Sequence, residues 1–300
     1  MQRPDTMSNA PKNKRPTKRW TPARIGIYLF LISAAAFFLL PLYVMLVTSF
    51  KTLDDIRESS IFSLPATLTL EPWAIAWTSA CTGLECTGLK VGFWNSVRIV
   101  IPSVILSILL GAINGYALAF WRSKYANLLF GVLMIGVFVP YQVIMYPLVR
   151  LLSTVGLFGS LPAIVVIHSI FGMPVMTLLF RNYYAGLPEE LFKAARIDGG
   201  GFWRIFIELM LPMSTPILIV ATIMQVTGIW NDYLLGLIFG GTELAPMTVQ
   251  LNNIVNSTTG ERAYNVNMAA TILTSAIPLF IYLASGRWFV RGIASGAVKG

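Results

Sequence analysis

Six apolar runs, each long enough to cross a lipid bilayer, constrain the fold of this chain more than any other feature. A transmembrane helix needs about 20 mostly apolar residues, and it pairs its own backbone polar groups where no water can do so. Runs of that length lie at residues 25–49, 95–121, 126–152, 160–180, 214–239 and 267–289. The composition agrees, since 56% hydrophobic and 12% charged residues are too apolar for a soluble globular protein. The sequence therefore predicts an all-α integral membrane protein with six transmembrane helices.

The uneven distribution of lysine and arginine between the loops predicts the orientation of the chain. A net charge of +9 would favour nucleic-acid binding in a soluble protein. Here most of the 22 Lys and Arg residues lie in the N-terminal tail and in alternate loops, as is typical of the cytoplasmic side of membrane proteins. We expect both termini in the cytoplasm, the loops at residues 50–94 and 240–266 outside, and the loop at residues 186–213 inside.

The chain divides into one membrane domain and two tails. Residues 1–24 are polar, basic and rich in proline, which is typical of a disordered cytoplasmic tail near anionic headgroups. The apolar run that follows is too long for the core of a signal peptide. The six-span permease domain is predicted over residues 25–290, and residues 291–300 form a C-terminal cytoplasmic tail.

The loop at residues 186–213 has the pattern of a short soluble helix, a hinge and a second helix. Glu189 and Glu190 follow Pro188 and fall in the first turn, where the helix dipole favours carboxylates. Glu189 precedes Lys193 by four residues, the favourable order for a helical ion pair. Glycines at residues 199–201 end this helix. Its apolar face is predicted at three positions: Leu191, Ala194 and Ala195.

A second amphipathic helix follows the glycines. Phe202, Ile205, Phe206 and Leu209 recur at the spacing of one helical face. The helix is expected to stop near Pro212. A loop built in this way is suited to binding a partner in the cytoplasm, although a generic amphipathic loop is the alternative.

This loop resembles the EAA loop of ABC importer permeases, whose pattern is Glu-Ala-Ala, three residues, Gly, nine residues, Ile, any residue and Leu-Pro. Here it reads Lys193-Ala194-Ala195, Gly199 and then Leu209-Met210-Leu211-Pro212. Lys193 reverses the usual charge, whereas Leu209 replaces Ile conservatively. The resemblance implies a coupling helix that contacts an ATPase through nine residues: Glu189, Glu190, Lys193, Ala194, Ala195, Asp198, Gly199, Leu211 and Pro212.

The resemblance extends over nearly the whole chain after residue 24. Ser63-Leu64-Pro65, Phe93-Trp94-Asn95-Ser96, Trp230-Asn231-Asp232 and the C-terminal tail are similar to MalG-like sugar permeases of the carbohydrate uptake type 1 group. This implies a type I ABC importer permease in a bacterial inner membrane. Its partners would be a second permease subunit, an ATPase dimer and a periplasmic sugar-binding protein.

The outer segment at residues 81–92 departs from the maltose-type permeases and looks more like the glucose and mannose type. A monosaccharide substrate such as glucose or mannose is therefore expected. A maltose- or trehalose-type oligosaccharide permease is the alternative.

The sequence shows no catalytic chemistry of its own. It contains neither a Gly-x-x-x-x-Gly-Lys-Ser/Thr phosphate loop nor a nucleophile with a matching base. We therefore expect no cofactor or metal on this chain; the resemblance implies that ATP and Mg are bound by the partner ATPase. His168, the only histidine, lies among Ile167, Ser169 and Ile170 without a Cys, His or carboxylate at a ligand spacing, and it is expected to be packed or hydrogen-bonded rather than to bind a metal.

Several polar or aromatic positions inside the spans are candidates for a translocation path or gate. Asp232 is the only acidic residue within a predicted span, and such a group is costly unless it faces a cavity or a partner. A local hydrogen bond that shapes the helix is the alternative for Asp232, and contacts between helices are the alternative for the others. A self-contained secondary transporter would need more charged groups in its spans than Asp232 alone. The candidates are Asn114, Tyr116, Gln142, Tyr146, Gln225, Trp230, Asn231 and Asp232.

Three further pairs of residues have spacings that suggest contacts. Gly111 and Gly115 in the second span are four residues apart, which lets helices approach closely in lipid. Gly236 and Gly240 repeat this spacing in the fifth; the alternative for both pairs is that glycine is simply tolerated in a membrane helix. Cys81 and Cys86 are the only two cysteines; both lie in the first outer loop, where an oxidising periplasm would favour a disulfide over two free thiols.

Overall fold

The computed structural model of this chain describes residues 21–82, 85–121, 124–256 and 262–297, with side chains up to residue 286. The described residues form helices and irregular connections, without strands. The predicted N-terminal tail at residues 1–24 lies largely outside these ranges. The predicted C-terminal tail at residues 291–300 lies beyond residue 286, so its side chains are not described. The helices are α1 Pro22–Thr48, α2 Leu53–Glu58, α3 Glu71–Thr78, α4 Lys90–Phe120, α5 Ala126–Phe138, α6 Tyr141–Thr154, α7 Leu161–Ala185, α8 Glu189–Ile197, α9 Phe202–Ile205, a π-helical turn Phe206–Met210, α10 Leu211–Met213, α11 Thr215–Trp230, α12 Leu234–Phe239, α13 Met247–Val255 and α14 Tyr264–Ala297.

The all-α membrane fold is confirmed. Four helices in the described part of the chain are long and apolar enough to cross a membrane alone: α1, α4, α7 and the part of α14 up to Gly286. Two more candidate spans are bent pairs, which bring the total to six if each pair crosses once. The described residues fall into two compact units, which are divided between Val44 and Met45. The described part of the first unit is an apolar helix with almost all of its side chains exposed, whereas the second unit is a helical bundle.

The third span differs from its prediction as one continuous helix. It is divided into α5 and α6, whose axes differ by 101°. Pro140 stands at the break; it has no backbone N–H, and its ring restricts the preceding residue to extended backbone. Val139 is accordingly extended, at ψ 121°. α5 alone would span only about 20 Å at 1.5 Å per residue, which is short of the roughly 30 Å hydrocarbon core of a bilayer.

The bundle is built on close packing between α4 and α7. A Cβ atom added at Gly111 would lie 2.3 Å from Met176 Cβ and 2.8 Å from its backbone carbon. One added at Gly115 would lie 2.7 Å from the backbone nitrogen of Arg181. The glycine spacing in the second span therefore permits a close helix contact, as predicted. Gly236, in contrast, faces the ring of Pro246 in the following loop.

The two ends of α4 define two ends of the bundle. We call the end at Phe120 the loop end, because α8 to α10 pack there, and the end at Lys90 the far end. At the far end, Gly92 N donates to Gln250 Oε1 at 2.8 Å, and Asn95 Nδ2 donates to the carbonyl oxygens of Glu243 at 2.8 Å and Ala245 at 3.2 Å. These bonds attach α13 and the loop before it to α4.

A buried lysine, Lys51, holds together the loop that follows α1 at the far end. Lys51 is 2% exposed, and its Nζ donates to Ser59 Oγ, Ser60 O and Ser63 Oγ at 2.8–2.9 Å. An ammonium group has three donors, so all of them are satisfied by neutral oxygens. Its carbonyl accepts from Asn265 Nδ2 at 2.9 Å, which joins this loop to α14.

The connection between α3 and α4 contains a disulfide between Cys81 and Cys86. Thr82 O accepts from Asn253 Nδ2 at 2.9 Å, so this short loop is held against α13. Gly88 adopts a φ of +63°, and a Cβ atom there would lie 2.4 Å from the carbonyl of Trp77. Both the backbone conformation and the lack of space require glycine at this turn.

The close contact between α4 and α7 can be tested by adding a single methyl group. Gly111→Ala places a carbon inside the contact radius of Met176 backbone, and overpacking of this kind costs about 1–3 kcal/mol. We expect a loss of that size in the free energy of unfolding of the detergent-solubilised chain. Gly131→Ala in α5 is the matched control, because a Cβ atom there meets nothing within 4 Å. Equal stability of the two variants would contradict the close packing described here.

Candidate functional site

The first half of the loop forms α8, which begins at Glu189 directly after Pro188. Glu189 and Glu190 occupy its first turn, and Glu189 Oε2 lies 3.3 Å from Lys193 Nζ. Both side chains are more than half exposed, so this ion pair contributes at most about 0.5 kcal/mol. Lys193, which stands where the EAA pattern has Glu, is thus paired within its own helix.

The packed face of α8 is rotated from its predicted position. Phe192 and Ala195 are partly buried, whereas Leu191 and Ala194 are exposed; of the three predicted residues, only Ala195 faces the protein. Phe192 rather than Leu191 packs against the aromatic side chains at the end of α4, because its ring offers more contact area. An exposed apolar ridge remains along Leu191, Ala194 and Ile197, the last of which is 85% exposed.

Two glycines form the hinge, each for a different reason. Gly199 has a φ of +79°, which is costly for any residue with a side chain. Gly199 N donates to Arg196 O at 3.1 Å and Gly200 N to Ala195 O at 3.0 Å, the bond pattern of a Schellman cap. A Cβ atom at Gly200 would lie 2.7 Å from Ala195 O. The reversal is therefore fixed by backbone hydrogen bonds.

The second helix continues through Pro212 and ends at Met213, one residue beyond the predicted stop. Its buried face is the predicted one, with Ile205 and Phe206 buried and Phe202 and Leu209 partly buried. Pro212 cannot donate to the carbonyl of Glu208, and its ring would collide with that group in an α-helix. The preceding turn, Phe206–Met210, is π-helical, and Leu211 N donates to Phe206 O. This wider turn accommodates the proline.

A sharp bend joins the loop to the fifth span. The segment Phe202–Met213 and α11 differ in direction by 79°. The buried Ser214 hydroxyl lies 2.6 Å from Met210 O and 2.9 Å from the Tyr184 hydroxyl. The Tyr183 hydroxyl donates to Met213 O at 2.6 Å. Two tyrosines at the end of α7 thus hold the bend.

An aromatic cluster at the end of α4 supports both helices of the loop. Phe120 stacks on Phe192 of α8 with ring centroids 4.7 Å apart. Tyr116 lies 4.8 Å from the ring of Phe202, and its hydroxyl donates to the Phe202 carbonyl at 3.3 Å. Trp121 lies 5.2 Å from Phe202. Tyr116, a predicted path residue, is fully buried here and supports the loop instead.

A groove of about 610 Å³ opens between α8 and the end of α4. The Arg196 guanidinium lies 4.7 Å from the ring centroid of Trp121 beside it, a favourable cation–π contact. The groove combines aromatic walls with charges of both signs. It is lined by Phe120, Trp121, Glu189, Phe192, Lys193, Arg196 and Ile197.

Asp232 lies at a break in the fifth span, between α11 and α12. Its Oδ2 accepts from Gly236 N at 2.9 Å, and its carbonyl accepts from Thr248 Oγ1 at 2.6 Å. His168 Nε2 of α7 lies 3.9 Å from the same carboxylate. Asp232 therefore shapes the start of α12, the local role that the sequence left open, and it also faces the only histidine. No group of three or more His, Cys, Asp or Glu residues in the described ranges is arranged to hold a metal ion.

The other predicted path residues are spread over the bundle. Trp230 is buried, and its Nε1 donates to Thr274 O at 2.9 Å, which joins α11 to α14. Asn231 is exposed at the end of α11. Gln225 is buried against Gly172 of α7, where an added Cβ would lie 2.4 Å from its Nε2. Asn114 is partly buried and Gln142 is exposed. The structure does not bring the predicted set together in one site.

The comparisons with known proteins agree with this architecture. The family model of binding-protein-dependent transport system inner membrane components matches residues 92–295. A probable ABC transporter permease protein of Pyrococcus horikoshii is 35% identical over 285 residues, which cover 94% of this chain and 100% of that protein. The alpha-glucoside transport system permease protein AglG of Rhizobium meliloti is 32% identical and covers 85% of this chain and 67% of that protein.

The fold also matches a solved structure. A bacterial ABC transporter involved in the import of the acidic polysaccharide alginate superimposes with a TM-score of 0.74 at 17% identity, over 90% of this chain and 99% of that chain. At this identity the match shows the fold alone, that of a type I ABC importer permease. Because the family model covers more than half of the chain, this protein is a membrane-embedded transport subunit, not an ATPase, and belongs to the family of binding-protein-dependent transport system inner membrane components.

Proposed function

We propose that this chain is one of two membrane subunits of an ATP-driven sugar importer in a bacterial inner membrane. The observation that carries this proposal is the loop at residues 186–213: a capped helix is held firmly on the bundle while its apolar ridge of Leu191, Ala194 and Ile197 is exposed. Exposed apolar ridges flanked by polar residues are typical of protein interfaces. The name of the family supports a binding protein as a further partner.

The partner at this ridge is an ATPase dimer, which binds ATP and Mg. Glu190 and Asp198 flank the ridge and are exposed, and the Schellman cap keeps α8 in one orientation. The predicted coupling residues Leu211 and Pro212 lie at the other end of the loop, next to the bend at Ser214. They act on the direction of the fifth span rather than on the ATPase surface.

Movement of α8 would reach the membrane by two routes. The Phe192–Phe120 stack connects α8 to α4, and the second helix connects through Ser214 to α11. Because α4 is closely packed on α7, these helices would turn as one body, as in rigid-body switching of transporters. Alternating access follows from movement of this body against the second permease subunit.

The proposed orientation places the loop end and both termini in the cytoplasm and the far end in the periplasm. The positive-inside distribution of Lys and Arg supports it. A disulfide between Cys81 and Cys86 at the far end also fits an oxidising compartment.

The proposed substrate is a monosaccharide such as glucose or mannose, on the strength of the outer segment at residues 81–92. The alternative is an oligosaccharide of the maltose or trehalose type, and the name of the AglG relative favours glucosides. A self-contained secondary transporter is a further alternative. It is favoured by one observation, the buried His168 beside Asp232, since ionisable groups at membrane depth commonly mark ion pathways.

Co-purification tests the proposed assembly. The tagged chain, purified gently from its native membrane, should bring an ATPase subunit and a second permease, and sugar should stimulate ATP hydrolysis after reconstitution. Ile197→Asp places a charge on the ridge and should reduce the recovered ATPase at least fivefold. Leu68→Asp, an equally drastic change at an exposed leucine of the far end, should not. Sugar transport by the chain alone would overturn the proposal.

The hinge can be tested separately from assembly. Gly199→Leu forces a side chain into a positive-φ conformation at a cost of about 1–2 kcal/mol, so the two loop helices should lose their fixed relation. We expect ATP hydrolysis to continue while sugar uptake falls at least tenfold, with normal membrane insertion. Gly201→Leu is the control, since its φ is –80° and a Cβ atom there meets nothing within 4 Å. Normal uptake by Gly199→Leu at normal expression would refute the hinge.

Two substitutions at Asp232 separate the effect of its hydrogen bond from the effect of its charge. Asp232→Asn keeps an oxygen that can accept from Gly236 N, whereas Asp232→Leu removes it and leaves a buried donor unpaired, which costs about 1–3 kcal/mol. If Asp232 shapes the gate, initial uptake rates should stay within about threefold for Asp232→Asn and fall at least tenfold for Asp232→Leu. Equal loss in both variants would show that the charge itself is required, as in an ion-coupled carrier.

A further inference from the structure

Helix α6 presents three kinds of surface around its axis. Its packed side is apolar and includes the buried Met145 and Leu152. A second side, exposed and apolar, includes Leu151, which is 58% exposed. Between them lies an exposed polar side that bears Gln142, Tyr146 and Arg150 in successive turns, with Ser153 and Thr154 at its end. We call Gln142, Tyr146 and Arg150 the polar ladder.

The polar ladder is continuous along the helix. Its three residues are spaced by four, so they fall within a sector of about 80° at 100° per residue. Tyr146 is 68% exposed, and Arg150 Nη1 donates to its hydroxyl at 3.4 Å. Ion pairs elsewhere in the described chain have an N–O distance within 4 Å. Among the described residues, no carboxylate lies this close to Arg150. The guanidinium therefore has donors left for another partner.

The ladder runs from beside the middle of α7 towards the far end. Tyr141, at the start of α6, packs on Phe171 in the middle of α7 with ring centroids 5.7 Å apart. After α6, Phe158 lies 6.4 Å from Phe239 at the end of α12, next to the loop that bonds to the far end of α4. From Gln142 to Arg150 the ladder is about 12 Å long.

The backbone of this span also favours contact with water or a polar solute. The break at Val139–Pro140 leaves the last carbonyls of α5 and the first N–H groups of α6 without helical partners, as at any helix end. Pro147, within α6, has no N–H to offer the carbonyl of Val143, and both residues are exposed. In lipid each unpaired group costs several kcal/mol, so broken helices are tolerated where they line an aqueous cavity or another protein.

We propose that the polar ladder lines the route of the carbohydrate, an inference that rests on the proposed function. Gln142 and the Arg150 guanidinium donate to sugar hydroxyls, and Arg150 can engage two neighbouring oxygens at once. The ring of Tyr146 provides an apolar surface for the face of the sugar ring. The third span thus makes the contacts with the substrate. Arg150 lies at the outer entrance, and it is not among the path candidates that the sequence predicts.

Water access in the assembled transporter tests the placement of the ladder. Single cysteines replace Gln142, Tyr146 and Arg150, with Leu151→Cys as the matched control on the same helix and Leu68→Cys as the reaction control in the outer loop. Membrane vesicles are treated with a charged methanethiosulfonate, with and without ATP. Because Cys81 and Cys86 are joined, they do not compete for the reagent.

The three ladder cysteines should react at least tenfold faster than Leu151→Cys in one of the two nucleotide conditions. If Leu68→Cys reacts while the ladder cysteines stay as slow as Leu151→Cys, the ladder faces lipid or the second subunit and the proposal is wrong. Equal fast reaction of all the α6 positions would also overturn it, because the polar side would then have no special access.

Uptake of radiolabelled glucose, mannose and maltose tests the role in transport. For the sugar that the wild-type complex imports, Arg150→Ala and Tyr146→Ala should lower initial uptake at least tenfold, Tyr146→Phe should keep it within threefold, and Leu151→Ala within twofold. ATP hydrolysis without sugar should be unchanged in Leu151→Ala, the control outside the ladder. If the wild-type complex imports the sugar and Arg150→Ala and Tyr146→Ala import it equally well, the role of the ladder is refuted and the proposed function is not. If the wild-type complex contains no ATPase, the proposed function itself is refuted.

Discussion

The close approach of α4 and α7 is the contact on which the rest of the structure depends. Lipid chains are as apolar as the side chains they surround, so burial of apolar area drives little association between spans, and close packing takes its place. Two small residues, Gly111 and Gly115, let the two backbones come near enough for dense van der Waals contact between the part of α4 near the loop end and residues 176–181 of α7. Both ends of the bundle are then attached to α4: the far end through Gly92 and Asn95, and the loop end through Tyr116 and Phe120.

The loop end shows how a cytoplasmic helix can be joined to membrane helices without a long lever. Phe192 and Phe202, one from each side of the glycine hinge, both reach the aromatic cluster on α4. Their side chains make a contact of ring faces and edges, which is stronger and more directional than aliphatic packing. The loop is therefore attached to the core pair of helices as well as to the span that follows it, and a force on α8 does not depend on the bend at Ser214 to reach the membrane.

Much of this architecture could be predicted from the sequence, because membrane insertion and helix ends obey simple rules. The six apolar runs, the reversal at Gly199 and the face of the second loop helix were all predictable. The buried side of α8 was not, since Leu191 and Phe192 are adjacent apolar residues and only the tertiary position of Phe120 decides between them. Pro140 and Pro212 have opposite outcomes, a break and a widened turn, which depend on the packing of the flanking helices. Asp232 and His168 meet through the fold, so their distance could not be inferred from their separation along the chain.

The hydrogen bonds at the bend have a direction that follows from counting hydrogens. The Ser214 hydroxyl has one hydrogen and two neighbours, the carbonyl of Met210 and the hydroxyl of Tyr184. A carbonyl only accepts, so the serine donates to Met210 and the tyrosine must donate to the serine. A phenylalanine in place of the tyrosine would leave the serine oxygen short of a donor, and an alanine in place of the serine would leave the tyrosine hydrogen unpaired. Among natural relatives these two positions should consequently vary together, with the hydroxyls both kept or both lost.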